Sequence, residues 1–172
     1  DIAAAIIPAP GHYRGSTRSI GDPADIEKLA DLLINAERPC ILLGTQVWNC
    51  RGHEEAIELV RQLNIPAYFN GSGRGLLPPG DPHHFNRTRR MAFDKADVIV
   101  IVGTPFDFRM GYGRRLGKDA DVVQIDQDYR TVGKNRDISL GLVGHPGAIL
   151  GAVAQAASGR ADNRAKSRLG WM

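Results

Sequence analysis

Arg109 stands in the loop Phe106-Asp107-Phe108-Arg109-Met110-Gly111-Tyr112-Gly113, which follows the apolar run Val98–Val102 and Gly103. A guanidinium at that place suits a pyrophosphate, to which it offers paired hydrogen bonds. It suits a surface ion pair as well. Gly103, lacking a Cβ, lets the backbone approach a neighbour closely. Asp126 closes a further expected strand, residues 121–125. An acidic residue at the end of a parallel strand can accept hydrogen bonds from ribose hydroxyls. With Asp128 two positions on, Asp126 also reads as a turn or cap residue. Gly71, Gly73 and Gly75 form a G-x-G-x-G stretch. A dinucleotide fingerprint needs a helix opening there, so that its amides and dipole meet the pyrophosphate. Leu76-Leu77-Pro78-Pro79 follows instead; Pro79 has no N–H and Pro78 steers Leu77 away from helix. The loop therefore reads either as a turn or as a place of close backbone approach to a ligand. Gly44 closes a further apolar run, residues 40–43, but the next helix is expected to begin only near Gly52.

Other chemistry is excluded by spacing. His53-Glu54-Glu55 is followed by Ala56 and Ile57, so no H-E-x-x-H motif exists. His83-His84 has no further ligand at useful spacing, and neither a G-x-S-x-G elbow nor a G-x-x-x-x-G-K-[ST] loop occurs. Cys40 and Cys50 are ten apart and form no C-x-x-C pair. No catalytic residue and no metal ligand is assigned.

The elements that must position these residues alternate. Asp22 is a good N-cap, Pro23 fits the first helical position, and Ile26, Leu29, Ala30 and Leu33 follow at helical spacing. Strands are expected at 40–43, 67–69, 98–102, 121–125 and 140–143, and helices at 52–63, 86–95 and 146–157. Strand alternating with helix predicts parallel βαβ units in a doubly wound α/β sheet. Ligands of such sheets bind outside the carboxyl ends of the strands, which is where Gly44, Gly103, Arg109 and Asp126 fall.

The 172 residues are enough for one domain with its own core. Residues 1–21, rich in Pro and Gly, read as an interdomain connector, and 22–157 as the folded body. Residues 159–172 carry Arg160, Arg164, Lys166 and Arg168 against Asp162, which leaves a body of 18 basic and 18 acidic residues. Residues 158–172 are accordingly expected to be a solvated basic tail or linker, and the body gives no support to nucleic-acid binding. No apolar run is long enough to cross a bilayer. A cytoplasmic setting is expected, and, from Asp rather than Met at position 1, so is a cut or processed piece.

From about Gly21 to Ala157 the chain resembles the central domain of thiamine-diphosphate-dependent enzymes of the acetolactate synthase type. GDPADIEKLADLLINAERPCILLG resembles that domain's opening helix and first strand. FNGSGRGLLPPGDPHHF resembles its second glycine loop, and DADVVQIDQDYRTVGKNRDISLGLVGHPGAIL its closing section. ADVIVIVGTPFDFRMGYG is similar to its most recognisable stretch, often VG-x-x-x-D-x-R-x-G.

The resemblance implies a Rossmann-like, mostly parallel six-stranded sheet of the NAD/FAD-binding kind. It implies an enzyme parent that uses thiamine diphosphate and Mg²⁺, both held by flanking N- and C-terminal domains outside this fragment, and that assembles as a homodimer or homotetramer. On this domain it implies FAD, or the ADP or CoA of the oxalyl-CoA decarboxylases and 2-hydroxyacyl-CoA lyases, or no ligand. Gly44, Gly71, Gly73, Gly103, Arg109 and Asp126 match the cofactor-facing positions. Two departures stand out. Many members carry consecutive glycines where this chain reads Gly44-Thr45-Gln46, and side chains there would crowd a backbone approach to pyrophosphate. The closing Gly-Asp of many members is Gly144-His145 here. A sirtuin-like NAD-consuming protein is a reading from another class, but two cysteines cannot build its zinc module; a purely structural interaction domain is a third.

Overall fold

The computed structural model describes residues 4–7, 9, 18–160 and 162–172; most of the expected connector, residues 1–3, 8 and 10–17, lies outside the described residues. Five parallel strands form one sheet in the order β2-β1-β3-β4-β5. They are β1 (Pro39–Leu43), β2 (Ala67–Phe69), β3 (Val98–Val102), β4 (Asp121–Asp126) and β5 (Leu140–Val143). The direction of winding reverses between β1 and β3, which makes that pair the switch point of the sheet.

The central strands β1 and β3 are buried at every position, as their unbroken apolar runs require. Alternation sends their side chains to two separate cores. Ile41, Leu43, Val98, Val100 and Val102 face helices α1 (Pro23–Asn35), α3 (His53–Leu63) and α5 (Pro146–Ala157). Cys40, Leu42, Ile99 and Ile101 face the other way, onto Phe93 of α4 (Arg89–Lys95) and onto Phe106, Met110 and Leu116 from the loop after β3. The second face has one short helix, so that loop must serve as part of its cover. Arg136 holds it there, its guanidinium donating to the carbonyls of Gly113, Leu116 and Gly117 at 2.9, 3.2 and 2.7 Å.

Helix caps follow the local sequence. The Asp22 side chain accepts from the Ala24 amide at 2.9 Å with Pro23 in the first turn. The His145 ring accepts from the Ala148 amide at 3.1 Å at the start of α5.

Two expectations are corrected. Among the described residues the sheet has five strands, not the six that the resemblance implies. Residues 18–20 do reach the end of β5, but through one backbone bond, His145 N to Ser19 O at 2.8 Å, and a single bond makes no ladder. The end of the chain is also not a solvated basic tail. It forms α6 (Asp162–Ser167) and a 3-10 turn, and Arg168 is 1% exposed. Its guanidinium donates to the carbonyls of Leu33, Ile34 and Ala36 at the end of α1 and of Leu63 at the end of α3. Those acceptors have no partner within their helices and sit at the negative dipole ends, so a cation satisfies both demands. Trp171 adds a bond from its indole to the Pro39 carbonyl at 2.8 Å.

Candidate functional site

At the switch point the carboxyl ends of β1 and β3 are joined by the Gly44 amide donating to the Val102 carbonyl at 2.8 Å. A short helix, α2 (Thr45–Asn49), begins at once, ahead of the helix start expected near Gly52. A helix of five residues has almost no stability of its own. Tertiary contacts hold it: Val47 is fully buried, the Thr45 hydroxyl accepts from the Ser72 amide at 3.2 Å, and Gln46 bonds across to the end of β4. No pattern in residues 45–49 announces those partners, which lie 27 and 80 positions away.

Four of the glycines expected to face a cofactor pack against this helix or its approach. Gly44 is its N-cap, and a Cβ there would lie 2.5 Å from the Gly103 carbonyl oxygen. Gly71, at φ +53°, sits against the Thr45 hydroxyl, and Gly73 sits against the Leu43 carbonyl. Gly103, at φ +60°, lies so close to α2 that a Cβ would be 2.5 Å from the Cβ of Gln46 and 3.1 Å from its backbone nitrogen. Close backbone approach is the reason for glycine at each, and the neighbour approached is the chain itself.

Asp126 joins the same cluster. It is fully buried at the end of β4, and its Oδ1 accepts from Gln46 Nε2 and from the Asp128 amide, each at 2.8 Å. Gln46 Oε1 in turn accepts from the Gln127 amide at 3.0 Å. Asp126 Oδ2 has no partner among the described residues and no contact with solvent. The structure thus brings Gly44, Gly71, Gly73, Gly103 and Asp126 together at the carboxyl edge, around α2.

Arg109 is not brought to them. Its guanidinium binds the Asp107 carboxylate at 2.9 and 2.5 Å, and this pairing holds the Asp107 carboxyl below the usual carboxylate range. Arg109 is more than half exposed and lines a cavity of about 500 Å³ with Arg89, Arg90, Arg114 and Arg115, on the α4 side of the sheet. None of these last four has a carboxylate partner among the described residues. The arginine-lined cavity is a feature that reading the residues one at a time missed; the pairs Arg89-Arg90 and Arg114-Arg115 are its signal in the sequence.

The carboxyl edge as it stands has its polar groups engaged within the chain. The carboxylate oxygen that a ribose would meet is already shared by Gln46 and the Asp128 amide, and the spare oxygen is sealed. Nor do the described residues hold a group of three or more His, Cys, Asp or Glu able to bind a metal ion.

A parallel α/β sheet wound in both directions from a switch point, with glycines and an acidic strand end gathered there, defines a Rossmann-like domain. Residues 26–153 match the model of the thiamine pyrophosphate enzyme central domain, and the chain belongs to that family. The acetolactate synthase large subunit IlvG of Mycobacterium tuberculosis is 37% identical over 149 residues, covering 86% of this chain and 26% of that protein. The 2-hydroxyacyl-CoA lyase 2 of Bos taurus is 33% identical over 117 residues, covering 67% of this chain and 18% of that protein. Among solved structures, benzoylformate decarboxylase from Polynucleobacter necessarius superposes with a TM-score of 0.70 at 17% identity, over 88% of this chain and 30% of that one. The chain therefore spans about a quarter or less of the length of these curated relatives.

Proposed function

We propose that this chain is the non-catalytic central domain of an acetolactate-synthase-like enzyme, one that decarboxylates a 2-keto acid and condenses the remainder with a second. The observation that carries it is the 37% identity to an acetolactate synthase large subunit over 149 residues. Thiamine diphosphate, with Mg²⁺, would be held by flanking domains, where the thiazolium supplies the electron sink for the carbanion. This chain's part is architectural. It spaces those domains, and Arg168 and Trp171 anchor the outgoing chain to the amino-terminal edge of the sheet. The boundaries proposed for the domain remain 22–157, with the parent a homodimer or homotetramer in the cytoplasm. No helix among the described residues is long and apolar enough to cross a membrane.

FAD, or the ADP part of CoA, is the alternative use of the carboxyl edge, with Gly44, Gly71, Gly73, Gly103 and Asp126 as its contacts; Arg109, expected among them, lies on the α4 side instead. The Gln46–Asp126 bond favours the structural reading over it. The second reading of the parent is a 2-hydroxyacyl-CoA lyase or a decarboxylase of the oxalyl-CoA type, favoured by the 33% identity to a 2-hydroxyacyl-CoA lyase 2. The full reading frame around this segment decides. Its product, given pyruvate, thiamine diphosphate and Mg²⁺, is expected to form acetolactate, whereas cleavage of a 2-hydroxyacyl-CoA without acetolactate formation would reverse the ranking. The present chain alone is expected to turn over neither substrate, and turnover by it would overturn the non-catalytic assignment.

A further inference from the structure

We propose that Gln46 is a built-in stopper: its amide stands in for a nucleoside at the end of β4 and closes the carboxyl edge to adenine nucleotides. The proposal rests on the structural reading of this domain and goes beyond it by naming the residue responsible.

The amide of Gln46 uses both its ends. Nε2 donates to Asp126 Oδ1 at 2.8 Å, and Oε1 accepts from the Gln127 amide at 3.0 Å. A nucleoside offers the same pair of functions, since ribose hydroxyls donate to an acidic strand end and adenine ring nitrogens accept from N–H groups. Of the two carboxylate oxygens of Asp126, Oδ1 is shared by Gln46 and the Asp128 amide, and Oδ2, though without a partner among the described residues, is closed to solvent. The base of the Gln46 side chain is fixed, so the amide is presented towards the end of β4. Its Cβ lies against Gly103, and its backbone lies at the start of α2, which Gly44, Gly71 and Thr45 tie to the ends of β1 and β2. A ligand must break two bonds, one of them to a charged carboxylate, before it makes any.

Removing the amide should leave Asp126 Oδ1 and the Gln127 N–H facing a gap of nucleoside chemistry. The variant Gln46→Ala does this while leaving the Cβ packed on Gly103; Gln46→Ser is the second choice if the alanine variant does not fold. Gln46→Met keeps the bulk without the amide and serves as the closed control. The probes are ADP, FAD and CoA, which share the ADP group, measured by isothermal titration and by melting of the 172-residue chain. Gln46→Ala is expected to bind at least one of them about tenfold or more tightly than the unaltered chain, the scale of one hydrogen bond to a charged group. Its melting temperature should rise by about 5–10 °C at roughly 100 times the dissociation constant. Gln46→Met should gain no affinity. Binding by the unaltered chain as tight as by Gln46→Ala would overturn the proposal, and so would a folded Gln46→Ala or Gln46→Ser variant that gains affinity for none of the three. Neither result touches the assignment of the parent reaction, which is read from product formation by the full reading frame.

Discussion

Arg168→Ala should unfold this protein more easily than any other single change at a charged residue in its last fourteen positions. The guanidinium is 1% exposed and donates to four carbonyls: Leu63 at 2.6 Å, Leu33 at 2.5 Å, Ala36 at 2.8 and 3.2 Å, and Ile34 at 3.2 Å. A hydrogen bond to a charged group contributes about 1.5–3 kcal/mol, and bonds sharing one donor group do not add. Burial also disfavours the charge itself and pulls the Arg168 pKa down, which offsets part of the gain. Water entering the vacated space would satisfy some of the carbonyls. A net loss of about 3 kcal/mol results, equivalent to roughly 6–12 °C of melting temperature for a chain of this size. Arg168→Lys keeps the charge but gives up the planar fork that reaches two helix ends at once, and should lose about half as much. Arg160 provides the control. Arg160 makes half-exposed ion pairs with Glu27 and Asp31, and its replacement by Ala should cost about 1 kcal/mol or less. Thermal melts of the four proteins at equal concentration measure the series. An Arg168→Ala melting temperature within about 2 °C of the parent's would refute the reasoning, because the carbonyls would then have no need of the guanidinium.

Gly103→Ala should cost about 2–4 kcal/mol, combining the left-handed backbone at φ +60° with the overlap on Gln46 Cβ; in a Gln46→Gly background that Cβ overlap is removed, the tight approach to the backbone nitrogen at 3.1 Å stays, and the cost should fall by about 1 kcal/mol or more, so additivity in denaturant melts would sink the contact. Asp81 is nearly buried, which raises its pKa, but bonds from Arg61, the His83 amide and the His83 ring outweigh this and bring it down to about 2. A depressed carboxylate stabilises the fold above its unfolded pKa and ceases to as pH falls through the folded one. The chain should therefore lose about 2 kcal/mol between roughly pH 4 and pH 2, a loss that Asp81→Asn abolishes in acid titrations of stability. Cys40 is fully buried and burial pushes its thiol up, so a thiol reagent should label Cys50 alone in the native chain and both cysteines in denaturant; labelling of Cys40 without unfolding would contradict its place within β1.

The parts of the fold that could be read from the chain are those written in local periodicity. Asp22 and Pro23 mark the start of α1, Pro146 that of α5, and the apolar runs locate all five strands to within a residue. What escaped depends on partners far along the chain. Helix α2 has no stability without Ser72 and Asp126, and no window around Thr45 contains them. Arg168 looks like solvated charge because its four acceptors are backbone carbonyls more than 100 positions away, which leave no mark in composition. Of the residues expected around a ligand, Gly44, Gly71, Gly73, Gly103 and Asp126 do assemble, since all end strands or follow them on the same edge. Arg109 falls elsewhere because Asp107, two residues before it, supplies a carboxylate at 2.5 Å.

A glycine at a strand end reports that backbone comes close to something, and the identity of that something is a separate question. Here the approach at Gly103 and Gly71 is to side chains of α2, and at Gly44 and Gly73 to neighbouring carbonyls. Each would require glycine whether or not a cofactor were ever bound. The discriminating residue at such an edge is instead the first one with a side chain long enough to reach the acidic strand end. In this chain that is Gln46, whose amide reaches Asp126 across 80 positions of sequence. A glycine pattern merges two separate properties: a sheet built to bring its loops together at a switch point, and a crevice left open there. The first follows from the strand order β2-β1-β3-β4-β5 and is met here. The second depends on the volume of one side chain, and a Gln at that place closes what a Gly or Ala would leave free.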